Sequence, residues 1–216
     1  QDTTRIGVMV TDPDTGIRKA KELHAQKAAI LQSQARFILL CAGKGAGKTL
    51  TGPPWLYQEI LKRPGGPYLV LGPDYPRMSL QLIPYIEDFF DHSPLADPER
   101  RGVHLEKSIM VYNLGKGYGQ AFLIAADTLA DVRKVESIHA LAGLLDKGGQ
   151  TVDPIWNAFR ARLNEKRSRA LITTTAYTYT GNWLKDFYDQ GQVNKWSPIK
   201  GYERVKEGNS NWEVFQ

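Results

Sequence analysis

Cysteine is almost missing from this 216-residue chain: Cys41 stands alone, which excludes an internal disulfide and a zinc site built on cysteines. No histidine lies near it in sequence, so it reads as a small buried hydrophobe at a strand end and not as a nucleophile. An apolar run of membrane-spanning length is also lacking, and residues 1–16 have no basic stretch followed by an apolar core. The expectation is a soluble, unsecreted protein in a reducing compartment, with no membrane partner. Internal repeats and low-complexity tracts are absent too, which argues against a solenoid. Neither sign of charge dominates: 28 Lys+Arg against 23 Asp+Glu give +5 and a pI near 9.2. That balance favours a polyanionic partner such as nucleic acid without requiring one.

What is present suits one α/β domain with a sizeable core. Residues 1–16 are polar and turn-rich (Asp12-Pro13-Asp14, Gly16) and read as an N-terminal arm; residues 17–193 form the domain. Apolar spacing over 17–33 predicts an amphipathic helix. The unbroken run Phe37-Ile38-Leu39-Leu40-Cys41 predicts a strand buried on both faces of a parallel sheet. Further strands are expected at 68–71, 109–112, 121–125, 140–145 and 170–174, with helices at 78–90, 154–163, 128–135 and 183–188. Such alternation predicts a three-layer fold with a mostly parallel central sheet. Residues 194–216 show scattered Trp and Tyr but little periodicity, and are expected to lead away from the domain.

The most informative segment is Ala42-Gly43-Lys44-Gly45-Ala46-Gly47-Lys48-Thr49, a Walker A loop with Ala42 at the first glycine position. Its glycines let successive backbone N–H groups turn inward, and the helix that follows offers its positive end to phosphate oxygens. Lys48 would reach the β- and γ-phosphates of ATP, and the Thr49 hydroxyl would ligate Mg²⁺. The bland alternative is a glycine-rich turn that binds nothing. Pro53-Pro54 falls inside the expected helix and predicts a kink, or a short first turn followed by a new helix from Pro54. A second carboxylate-bearing strand end is required to hold the metal through water, and Asp146, after the apolar run 140–145, is the candidate. Lys147 follows it, where motor ATPases place a glutamate that activates water. Thr173, Thr174 and Thr175 end a buried strand and could sense the γ-phosphate; ordinary β-branched composition explains any one of them equally well. Arg133 could stabilise transition-state charge in a neighbouring subunit, or be a solvated helix arginine. The basic residues Arg160, Arg162, Lys166, Arg167 and Arg169 read as a helix that could face DNA phosphates, with a solvated face the commoner outcome.

The order of these segments resembles the ATPase domain of the large terminase subunit of tailed bacteriophages, over most of the chain. Leu23-His24 with Gln26-Lys27 looks like the adenine-side glutamine motif, with Gln26 as the reader. Residues 64–75 resemble the family's second strand and turn, and Ala126-Asp127 through Asp131-Val132-Arg133 the arginine-bearing stretch before Walker B. Asp146-Lys147-Gly148-Gly149-Gln150 resembles the Asp-Glu-x-x-Gln motif, and Leu171 through Tyr177 with Gly181-Asn182-Trp183-Leu184 the coupling motif and its helix, with Thr174 in the sensing role. Two positions depart: Lys44 stands where the family often has arginine, and Lys147 where it has the catalytic glutamate. The resemblance implies a P-loop NTPase of the RecA/ASCE kind that uses ATP and Mg²⁺ to move double-stranded viral DNA into a procapsid. It implies a homo-oligomeric ring on the portal protein, a small terminase subunit as partner, and a place in the host cytoplasm and at the portal vertex. Full-length relatives carry a nuclease domain; residues 194–216 would lead towards one, and no nuclease site is assigned to this chain. Rival readings are a helicase-type ATPase, a small-molecule kinase and a nucleotide-binding scaffold without turnover.

Overall fold

The run Phe37–Cys41 is buried along its whole length because both faces of its sheet are covered. In the computed structural model, which describes residues 7–11, 18–22, 25–175, 183–197 and 199–216, with side chains from Lys27 onward, this strand lies inside a ten-stranded sheet. In chain order the strands are β1 (Gly7–Thr11), β2 (Arg18–Glu22), β3 (Phe37–Cys41), β4 (Pro67–Gly72), β5 (Val103–Glu106), β6 (Ile109–Asn113), β7 (Gln120–Ala125), β8 (Ala142–Leu145), β9 (Arg169–Thr174), β10 (Gly191–Ser197), β11 (Gly201–Lys206) and β12 (Asn209–Phe215). The helices are α1 (Ala25–Gln32), α2 (Lys48–Lys62), α3 (Tyr75–Arg77), α4 (Ile83–Asp91), α5 (Val132–Glu136), α6 (Asp153–Arg162) and α7 (Trp183–Gln190). A π-helical turn, Met78–Leu82, joins α3 to α4.

The large sheet runs β11-β10-β12-β3-β9-β8-β4-β7-β6-β5. From β10 to β7 every neighbouring pair is parallel, and antiparallel hairpins close both edges. Alternate residues divide between two cores: Ile38, Leu40, Tyr68 and Val70 face one apolar cluster, while Phe37, Leu39, Leu69 and Leu71 face the other. Trp55, Leu56 and Ile60 of α2 and Ile86 and Phe90 of α4 fill the first, and Trp156, Phe159, Trp183 and Phe187 of α6 and α7 fill the second. Helix, sheet and helix are the three layers expected from the alternation.

Four expectations change. The helix over 17–33 is instead β2 and the shorter α1; β2 pairs antiparallel with β1, so strand pairing crosses the 16/17 boundary of the arm. Residues 194–216 do not run off the domain: they supply most of β10 and all of β11 and β12, and β12 inserts parallel beside β3. Their alternation is weak because β11 is an exposed edge, and the apolar contribution is concentrated in Val214 and Phe215. The two prolines do not divide α2, which is helical from Lys48 to Lys62; they lie in its second turn, where only the carbonyls of Thr49 and Leu50 lose donors. The basic residues do not share a helix: Arg160 and Arg162 are on α6, and Arg169 opens β9 with its side chain only 11 % exposed.

Candidate active site

Parallel strands carry their C-terminal ends to one edge, and there β3, β9, β8 and β4 deliver the chain's polar residues. β3 feeds the glycine-rich loop; Gly45 and Gly47 take positive φ (79° and 66°), a backbone closed to most side chains. Gly47 in this left-handed conformation is the N-cap of α2, so Lys48 and Thr49 open the helix. The Lys48 ammonium donates to the carbonyls of Ala42 (3.1 Å) and Gly43 (2.7 Å). Burial lowers its pKa below the usual lysine value and the nearby Lys147 charge adds to that, with Asp146 opposing both.

Asp146 follows β8 and is 3 % exposed. Its Oδ1 accepts from Thr49 Oγ1 (3.2 Å) and from Thr173 Oγ1 (2.5 Å), so β9, the strand between β3 and β8, bridges the start of α2 and the carboxylate that follows β8. Burial raises the Asp146 carboxyl above the ordinary carboxylate range, against the two hydroxyl donors and the charges of Lys147 and Lys48. The adjacent hydroxyl and carboxylate oxygens fit Mg²⁺, a hard cation that takes few protein ligands and completes its shell with water and phosphate. Among the described residues no cluster of three or more His, Cys, Asp or Glu offers another cation site.

Lys147 adopts a left-handed backbone (φ 57°), its amide donates to Thr173 Oγ1 (3.3 Å), and its ammonium donates to Gln81 Oε1 (2.5 Å). Gln81 sits on the π-helical turn; a second contact, Arg77 to Gln150 Oε1 (2.5 Å), ties the same helical segment to the turn after β8. A cavity of about 940 Å³ joins these parts, lined by Lys27, the stretch from Lys44 to Leu50, Gln81, Tyr85, Asp146, Lys147, Gln150 and Thr175. Asp146 is the single carboxylate in that described lining.

The structure thus brings together Lys44, Gly45, Ala46, Gly47, Lys48, Thr49, Asp146 and Lys147. Ala42 and Gly43 meet the site through their carbonyls. Thr174 is turned elsewhere: fully buried, its hydroxyl accepts from the Gly149 amide (3.0 Å) and shapes the turn, while Thr173 meets the carboxylate. Arg133 is exposed on α5 and does not line the cavity. Gln26 is the second residue of α1, and its side chain lies outside those described, as do Leu23, His24 and residues 176–182; the next residue, Lys27, does reach the lining. Gln81 and Tyr85 carry no local motif, so nothing in the sequence points to them.

The sequence matches no family model and no curated protein. Among solved structures, the large terminase ATPase domain of Thermus phage P74-26 is similar, with a TM-score of 0.60 and 19% identity over 90% of this chain and 80% of that one. The fold is that of a large terminase ATPase domain. A point mutant of the same phage domain gives a TM-score of 0.61. The large terminase of a thermophilic bacteriophage, in complex with ADP, is similar at a TM-score of 0.54 and 10% identity, over 69% of this chain and 38% of that one. The same protein with ATP-gamma-S gives 0.52 at 11% identity. No helix among the described residues is long and apolar enough to cross a membrane.

Proposed function

We propose that this chain is the ATPase domain of a terminase-like motor that hydrolyses ATP to move double-stranded DNA. The observation that carries the reading is the contact between Thr49 and Asp146: a Walker A hydroxyl meets a buried carboxylate two strands away, over a loop whose lysine faces the same cavity. Loop amides and Lys48 hold the β- and γ-phosphates. Thr49, and Asp146 through water, would hold Mg²⁺, which would neutralise charge on the γ-phosphate and the leaving oxygen. Thr173 fixes Asp146, keeping its oxygens aimed at Thr49. Water attacks the γ-phosphorus in line as the bond to the β–γ bridging oxygen breaks, ADP leaves, and the water's proton passes to the released phosphate.

In the same reading the chain works in a homo-oligomeric ring on a portal protein, with a small terminase subunit, in the host cytoplasm and at the procapsid vertex. Arg133, exposed and outside its own cavity, acts on a neighbouring subunit's site. A second reading, a nucleotide-binding domain with little hydrolysis, is favoured by Lys147, because a protonated amine at that position accepts no proton from water. ATP turnover measured with and without double-stranded DNA, for this chain and for Lys48→Ala, separates them. DNA-stimulated turnover that Lys48→Ala abolishes supports the motor; turnover that needs a small hydroxyl acceptor indicates a kinase, and nucleotide binding without turnover indicates the second reading.

A further inference from the structure

The charge of the cavity is lopsided. Four lysines, Lys27, Lys44, Lys48 and Lys147, share its described lining with one carboxylate, Asp146. A P-loop site with a glutamate after the Walker B aspartate has two carboxylates beside the triphosphate and needs a divalent cation to offset them. Here that position carries an ammonium group. Its hydrogen-bond acceptor, Gln81 Oε1, is neutral, so the contact orients the Lys147 ammonium without cancelling its charge. The left-handed backbone at Lys147 and the hydrogen bond from its amide to Thr173 Oγ1 fix the start of the side chain beside Asp146. The charge also acts at short range: it disfavours the charged form of Lys48 and favours that of Asp146.

We propose that Lys147 supplies, from within the protein, part of the countercharge that a divalent cation supplies in related sites, so that the cavity holds a nucleoside triphosphate nearly as well without Mg²⁺ as with it. This rests on the nucleotide-site reading above and concerns binding, not turnover. Lys147 stands where it can donate to a phosphate oxygen by exchanging Gln81 for it, and the ammoniums of Lys44 and Lys48 complete the cationic wall. The metal is then needed for the chemical step and far less for occupancy.

Calorimetric titration of ATP into the purified chain, once in excess Mg²⁺ and once in EDTA, tests this. The two dissociation constants should agree within about tenfold, and Lys147→Asn, neutral and tolerant of a left-handed backbone, should weaken binding in EDTA by roughly tenfold or more, as expected for loss of a charge-assisted hydrogen bond. In Mg²⁺ the same variant should change affinity by less than about threefold, and Lys147→Arg should behave like the parent in both buffers. A parent chain that loses more than about tenfold on chelation, or a Lys147→Asn variant weakened equally in both buffers, overturns the proposal. Absence of binding in both buffers overturns the nucleotide-site reading as well, which keeps the two failures apart.

Discussion

At the residue scale, Lys147 and Asp146 pull stability and chemistry in different directions. Lys147→Glu places a proton acceptor beside the γ-phosphate, and turnover should rise by roughly 10²–10⁴, the usual worth of a positioned general base. Steady-state phosphate release measures it; no gain would mean that another group activates water and that Asp146 and Lys147 are misread. Asp146→Asn tests the cost of the buried carboxylate. The folded-state pKa is raised, so the stabilising contribution of the protonated form is present below the unfolded pKa and lost as pH rises through the folded value. At neutral pH, well above the unfolded value, keeping this carboxyl buried therefore costs stability, and Asp146→Asn should raise stability by about 1 kcal/mol and Tm by about 2–4 °C while abolishing turnover. Thermal melts at neutral pH check it, and the gain should vanish in acid. The glycine spacing and Gly47-Lys48-Thr49 made the loop legible in the sequence, but the choice between Thr173 and Thr174 was not. Successive strand residues point to opposite faces, and only the register of β9 against β8 shows that Thr173 reaches Asp146.

At the scale of elements, α2 and β9 are locked by Glu59, whose side chain is 1 % exposed. Its carboxylate meets Arg169 (2.5 Å), Arg63 (2.6 Å) and Lys62 (3.0 Å), and Arg169 also donates to the carbonyls of Ser33 and Ala35. Burial pulls the Arg169 pKa down, with the Glu59 charge and hydrogen bond opposing it. Glu59→Ala leaves this arginine without its counter-ion and should cost about 3–5 kcal/mol, lowering Tm by roughly 10 °C. Urea denaturation of the purified variant measures it, and a loss under about 1 kcal/mol would show that the cluster is solvated in solution. Arg169 looked in sequence like one more member of a basic run; its pairing with Glu59 spans 110 residues and leaves no local trace. The central strands were legible for the opposite reason, since burial on both faces writes an unbroken apolar run into β3 and β4. The hairpin of β5 and β6 turns through Lys107 and Ser108, both at positive φ, without the Asn-Gly or Asp-Gly pair that usually marks such a turn.

For the whole molecule, the ten-stranded sheet brings the glycine-rich loop, Asp146 and Thr173 together at the C-terminal ends of its parallel strands, and β10, β11 and β12 complete that sheet, with β12 beside the strand that feeds the loop. That contribution was invisible in sequence because the three C-terminal strands are mostly exposed or half-exposed and carry little apolar periodicity. A role for Arg133 across a subunit interface belongs to this scale. Arg133→Ala should leave ATP affinity within about twofold and lower turnover by roughly 10³ only in assembled rings. Equal loss in a dilute monomer would place the arginine in its own site. The central claim, that the cavity at the β3, β8 and β9 strand ends is the ATP site, is tested most directly by a crystal structure of the chain with a non-hydrolysable ATP analogue and Mg²⁺. The account predicts the triphosphate on the loop amides, its γ-phosphate within hydrogen-bond reach of Lys48 Nζ and the metal ligated by Thr49 Oγ1. A nucleotide bound elsewhere, or density with Lys48 still directed at the carbonyls of Ala42 and Gly43, would contradict it.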